Sequence, residues 1–582
     1  MKDFLKMFFA SLLAGGMFFI LTLVILISMG AEPEVVVPKN SVLTINLNAQ
    51  IKERSNDNPF ASFNPLSMSS ESTIGLDQMI RAINEAKDHE KIKGIRVEFG
   101  GFSGGFSSIK RVRDALMDFK ESGKFIYTYQ EVYSQKAYFL ASVADSVFVN
   151  PTGGMEWRGL GSQVTYYTKM LKKFGIEPQI IRGSNNQFKS AVEPFLTEKM
   201  SPANRLQLET LLGDIWDYTT EAVAESRGMT AEDLKRWADE APMQEPEEAL
   251  EKGLVDVVAY EDEFIAALKT RLGIKEDKKI KTIGYSKFLS SIEDENEADD
   301  EIAIIYAEGD IVDGSGSGYQ VDSERFTTAI RKARKDDDIK AVVLRVNSPG
   351  GSALASDVIW RELELLKAEK PLVVSMGDLA ASGGYYIAAP GDTVLAEPTT
   401  ITGSIGVFGM FFTAGELLEE DMGLVFETVK TSEFADMPAI NRPLNEAERS
   451  FFQKGVDRTY GKFISRVVAG RGLDSLYVDS IGQGRVWTGS RAVELGLVDA
   501  LGNLDDALAI AADRAEIEDY KTVAYPKFKD PFQQFLEDLT GNQVKRELKG
   551  TPLESTYKAF EKAKYMVGHP GIQMRMEYEL VW

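Results

Sequence analysis

The stretch "DIKAVVLRVNSPGGSALAS" (338–356) decides the fold, because it occurs twice. Its counterpart is "KIKGIRVEFGGFSGGFSS" (91–108). Both open with an apolar run of β-branched character, pass through a glycine-rich turn, and enter a helical pattern. At the same spacing, "KAYFLASVADSVFVNPT" (136–152) matches "GGYYIAAPGDTVLAEPT" (383–399). Farther on, "ALEKGLVDVV" (249–258) matches "AVELGLVDAL" (492–501). Two large modules of common ancestry explain the repeat. Each alternates runs such as "AVVLRV" with amphipathic runs such as "SDVIWRELELLKAEK". That alternation predicts an α/β fold with a mainly parallel sheet built of βαβ crossovers.

The repeat sets the domain plan. Residues 1–31 form an anchor, 32–289 the first module, 290–301 an acidic linker ("SSIEDENEADDE"), and 302–525 the second module. Residues 526–582 form a tail, read as a helix followed by a docking strand and matched to no function. From Met7 to Ala31 no residue is charged, which is long enough for a helix to span a bilayer. Lys2 and Lys6 precede the run, and Glu32 and Glu34 follow it. The positive-inside rule then keeps the N-terminus in the cytoplasm and places both modules outside. Behind the anchor, the Ser-, Asn- and Pro-rich residues 55–75 read as a flap.

Composition removes several function classes. With 66 basic and 89 acidic residues, the net charge of −23 argues against nucleic acid as a partner. There is no cysteine, so thiolate nucleophiles and Cys-type zinc sites are excluded. The two histidines, His89 and His569, make a His-rich metal site improbable. No cofactor and no metal is expected.

The repeat also carries the chemistry. Ser404, in "PTTITGSIGVFG" (398–409), stands on a tight turn, and the repeat puts Trp157 opposite it. Lys189, in "NNQFKSAVEPF" (185–195), has Ala435 opposite. Each module therefore keeps one half of a Ser–Lys pair. A lysine accepts a proton only when neutral, and burial favours the neutral form. Such pairs are a known variant of triad chemistry. Gly351, in "RVNSPGGS", and Ile405, beside the serine, are the candidate oxyanion-hole amides. Thr431 or Ser432 is a further candidate to hydrogen-bond the lysine. Taken singly, each feature has a plainer reading: a turn serine, a surface lysine, an ordinary Pro-Gly turn.

Together "VNSPGGS", "AASGGYYIA", "PTTITGSIGVFG" and "FKSAVEPF" resemble the signal peptide peptidase A family in its double-module form, from about residue 40 to about residue 525. The resemblance implies two Clp protease/crotonase-type modules behind a single transmembrane helix. It implies a membrane-bound serine endopeptidase with Ser404 as nucleophile and Lys189 as general base. It further implies a homo-tetrameric bowl on the extracytoplasmic face of the inner membrane. Its substrates would be apolar peptides, the remnants of signal peptides. A non-catalytic scaffold is the competing reading, since one fold serves several functions. An acyl-CoA enzyme is disfavoured by the topology.

Overall fold

A computed structural model describes residues 35–55, 63–64, 69–70, 73–292, 298–316, 320–528 and 571–576. The predicted anchor, most of the flap, the centre of the linker and most of the tail lie outside these residues. Among the described residues, no helix is long and apolar enough to cross a membrane.

The duplicated stretch forms the centre of each of two similar sheets. In the first, the strands run in space as Met243–Gln244, Ser146–Glu156, Phe125–Tyr133, Ile92–Phe99, Ser41–Leu47 and Lys281–Gly284. In the second, the order is Val486–Thr488, Ile401–Gly403, Leu372–Ala381, Ile339–Ser348, Glu301–Glu308 and Lys521–Tyr525. The pairings are parallel except at the Met243–Gln244 and Val486–Thr488 ends. Continuous apolar runs such as Ala341–Leu344 are buried throughout, as expected for strands covered by helices on both faces.

The two modules also share fine contacts. Tyr138 donates its hydroxyl to the carbonyl of Leu254 at 2.7 Å, and Tyr385 donates to Leu497 at 2.8 Å. Asp145 and Asp392 each accept a backbone N–H at the start of a strand, from Ile126 and Leu372. The 26-residue helices Pro202–Arg227 and Glu446–Arg471 both end on a left-handed glycine, Gly228 and Gly472.

The modules are interlocked. The first-module helix Phe106–Lys120 packs on the second module, where the backbone N–H and hydroxyl of Ser108 both donate to Asp378. Burial raises the Asp378 carboxyl above the usual range, and the two Ser108 bonds oppose that shift. Arg491 of the second module pairs with Asp214 of the first. A third sheet crosses between the modules. Its strands are Val321–Asp322, Ile311–Val312, Gly350–Ser352, Gly571–Arg575, Phe408–Thr413 and Glu177–Arg182. The last strand comes from the first module, and Gly571–Arg575 comes from the tail.

Candidate active site

Two neighbouring parallel strands of the second sheet end side by side. Leu379, Ala380 and Ala381 pair with Ile401, Thr402 and Gly403. The next residue on each strand is a serine, Ser382 on one and Ser404 on the other. Carboxyl ends of parallel strands are where α/β folds place their sites. Both serines have positive φ, 56° and 50°, which is uncommon for a residue with a Cβ. Strain of this kind clusters at functional positions. Ser382 leads from its strand directly into the helix Gly383–Ala388.

Lys189 reaches both serines from the first module. Its Nζ donates to Ser382 Oγ at 2.8 Å, to Ser404 Oγ at 2.9 Å and to the Ser404 carbonyl at 3.2 Å. The lysine is 1% exposed. Its segment is pinned on both sides. Phe188 donates its N–H to Gln483, and Gln207, on the long first-module helix, donates to the Phe188 carbonyl and to Ser190 Oγ. Gly484 lies directly against the lysine. A Cβ there would fall 2.5 Å from the Lys189 Cβ and 2.6 Å from its backbone, and φ is +83°. Only glycine lets the chain pass so close.

Ser404 and Ile405 are covered by this same loop. Ser404 donates its N–H to Arg485 at 2.7 Å, and Gly484 donates to the Ile405 carbonyl at 2.7 Å. Ser382 instead adjoins the glycine-rich turn. The Gly383 nitrogen lies 2.6 Å from where a Cβ of Gly350 would sit. Gly351 follows in the short strand Gly350–Ser352.

The sequence-predicted residues Lys189 and Ser404 thus meet, with Gly351 and Ile405 on different sides of the site. Thr431 and Ser432 are exposed, whereas the lysine is buried. The hydroxyls on Lys189 belong to Ser382 and Ser404. Sequence reasoning missed Ser382, although its signal was present. "AASGG" is a serine between small residues at a strand-to-helix turn, the pattern of a nucleophile elbow. The repeat also places Gln135 opposite Ser382, the same complementary loss that singled out Ser404. In the first module that position is filled. Gln135 accepts backbone N–H groups of Arg158 and Gly159, and buried Trp157 donates to the Leu234 carbonyl. Among the described residues, no group of His, Cys, Asp and Glu side chains is arranged to hold a metal ion.

The family model for Peptidase family S49 matches residues 118–275 and 364–518. The first match contains Lys189, and the second contains Ser382 and Ser404. This chain belongs to peptidase family S49. It is similar to "Serine protease SPPA, chloroplastic" of Arabidopsis thaliana, 34% identical over 87% of this chain and 74% of the relative. It is similar to "Protease 4" of Haemophilus influenzae, 35% identical over 75% of this chain and 72% of the relative. The Salmonella typhi "Protease 4" is 34% identical over 80% of this chain and 76% of that protein. The S49 chain is accordingly a serine peptidase with two tandem modules, and its two halves meet at Lys189.

Proposed function

We propose that this S49 peptidase is an endopeptidase in which Lys189 is the general base and Ser382 the attacking hydroxyl. The observation that carries the reading is a buried lysine within 3 Å of two hydroxyls on strained turns. The sequence reading assigned attack to Ser404. Two contacts support Ser382 instead. Backbone of residues 484–485 hydrogen-bonds around Ser404, while Ser382 adjoins the glycine-rich strand Gly350–Ser352, on which the tail strand Gly571–Arg575 is laid as an extended segment. In this reading Ser404 holds Lys189 in place. Gly383, next to the nucleophile, joins Gly351 as oxyanion donor in place of Ile405.

Neutral Lys189 takes the proton of Ser382 Oγ as that oxygen bonds to a peptide carbonyl carbon. The Gly351 and Gly383 amides stabilise the oxyanion. The protonated lysine gives its proton to the leaving amine, and the C–N bond breaks. Water, deprotonated by the same lysine, then releases the acyl group. Hydrolysis of an apolar peptide by the full chain tests the assignment. Ser382→Ala is expected to remove activity by about 10³-fold or more, and Ser404→Ala by roughly 10–100-fold, as a positioning loss. The reverse order would return the nucleophile to Ser404.

We place the modules outside the cytoplasm, tethered by the 1–31 segment, where apolar signal-peptide remnants leave the bilayer at high effective concentration. Protease added to spheroplasts should digest both modules; protection of both would overturn this topology. The tetramer has a structural argument too. Within the chain, Glu177–Arg182 of the first module pairs with Phe408–Thr413 of the second. The repeat equivalents of this pair include 162–166 and 423–428, and neither belongs to a strand. Within 423–428, Val425 is 93% exposed. The same pairing between successive chains is heterologous and closes into a ring when the rotation permits.

A further inference from the structure

We propose that Gln207 is a positioning residue for the Ser–Lys chemistry, a latch that fixes the Lys189 segment of the first module to the strand beside Ser404 in the second. The inference rests on the peptidase reading above and adds a residue that acts through Lys189.

Gln207 lies in the second turn of the helix Pro202–Arg227 and is 1% exposed. Its side-chain amide has two ends, and each grips a different module. Nε2 donates to the Phe188 carbonyl at 3.1 Å and to Ser190 Oγ at 2.8 Å, one on each side of the lysine. Oε1 accepts the N–H of Val486 at 3.3 Å. Val486 pairs with Gly403, the residue before Ser404, and its neighbour Arg485 accepts the Ser404 N–H. One amide therefore joins the residues that flank the base to the strand that carries a hydroxyl. The arrangement calls for a donor at one end and an acceptor at the other, which glutamine supplies without a charge.

The helix makes these contacts along one face. Asn204, Gln207, Leu211 and Asp214 follow helical spacing. Gln207 also donates to Asn204 Oδ1, and Asn204 donates in turn to Glu193, just beyond the short helix Ser190–Val192 that follows the lysine. Asp214, two turns on, accepts from Thr488 and Arg491 of the second module. The charged groups nearest the segment are engaged in this way. Glu193 accepts from Ser201 and Asn204, Arg182 donates to the Asn186 carbonyl, and Arg485 stacks between Phe188 and Trp487.

The repeat supplies a control. The helices Pro202–Arg227 and Glu446–Arg471 have equal length and matching ends, so Phe451 stands opposite Gln207. Phe451 is 60% exposed. The second module has Ala435 in the lysine's place and no amide in the glutamine's. The glutamine accompanies the lysine, not the helix.

Such a latch acts on the base in two ways. It holds Nζ within hydrogen-bonding distance of both hydroxyls, and a misplacement of about 1 Å costs on the order of 10²-fold. It also keeps the segment closed against Gly484, so that Nζ stays out of water. Burial favours the neutral lysine, the form that accepts a proton. An opened segment would hydrate the ammonium and move its titration upward.

The test compares the full chain as wild type, Gln207→Met and Gln207→Glu, read by hydrolysis of an apolar fluorogenic peptide across pH and by amide hydrogen exchange. Gln207→Met keeps nearly the same volume and loses both ends of the latch. Its kcat should fall about 10-fold or more with KM within about 2-fold of wild type. The rise of its kcat/KM should move to higher pH, and the amides of 185–190 and 481–487 should exchange faster. Gln207→Glu offers both a donor and an acceptor only while its carboxyl is protonated. Its activity relative to wild type should therefore be highest in acid and fall as the carboxyl ionises. A Gln207→Met enzyme with wild-type kcat and pH profile, beside an inactive Lys189→Ala, overturns the inference and leaves the peptidase reading standing. A lowered urea midpoint with unchanged kcat in the folded enzyme also overturns it, by reducing Gln207 to a structural role. Full activity in Lys189→Ala removes the peptidase reading and this inference with it. Should Gln207→Met not fold, Gln207→Glu still decides, and a ratio to wild type that does not change with pH overturns the latch.

Discussion

Lys189→Ala is expected to lose about 10³-fold or more in kcat while the chain stays folded, because it removes the nitrogen that both serine hydroxyls contact. The lysine Nζ is the nitrogen shared by Ser382 and Ser404. Residues that act as a unit are non-additive, so Lys189→Ala combined with Ser382→Ala should be no worse than either alone. The pH profile gives the sign of the assignment. The base works only when deprotonated, so kcat/KM is low in acid and rises with pH through the lysine's apparent pKa in the free enzyme. Lys189→Arg should be inactive at every pH, because guanidinium does not deprotonate in proteins. His89 makes an alternative base testable. It packs edge-on against Phe288 in the first module, and burial, with Lys91 and Lys124 nearby, lowers its pKa. A rise in activity centred below the usual imidazole range that disappears in His89→Gln would contradict the lysine assignment, as would an active Lys189→Arg enzyme.

Glu53→Ala should destabilise the chain by about 3–5 kcal/mol, since it leaves a buried guanidinium without its counter-charge. Arg345, in the central strand of the second sheet, is 0% exposed, and Glu53 of the first module is 1% exposed. They form a two-pronged pair, Nε to Oε2 at 2.9 Å and Nη2 to Oε1 at 3.2 Å. Arg345 also donates to Ser375 Oγ and to the Met376 carbonyl, and Asn347 donates to Glu53. Burying both charges is costly, and the pair is tolerated because every prong is used. Removing one partner forfeits the attraction but keeps the burial cost. The pair ties the module that carries Lys189 to the module that carries Ser382. Glu53→Ala should therefore lower kcat as well as the urea midpoint, whereas Glu53→Leu with Arg345→Met should recover much of the stability. A urea midpoint unchanged in Glu53→Ala would show that the pair contributes nothing at this interface.

Much of the plan was legible in the residues. The two α/β modules follow from apolar runs and helical periods, and their kinship from a repeated order of motifs. These are local or periodic signals, and burial on both faces of a parallel sheet leaves little freedom in how they are met. Lys189 was legible because duplication supplies an internal control: Ala435 stands in the equivalent place. Tertiary structure decided what sequence could not rank. Ser382 and Ser404 show the same complementary loss, against Gln135 and Trp157. Only the register of their two strands brings both to one lysine, and only the loop at Gly484 covers one of them. Glu53 and Arg345 are ordinary charges until the fold brings together two positions 292 apart in the chain. The tail is similar. A docking strand was expected there, but the two edges that Gly571–Arg575 pairs with lie far away in the chain and were not legible. Periodicity reports what a segment does with its own neighbours, whereas pairing between distant segments depends on shape and register that only the assembled chain defines.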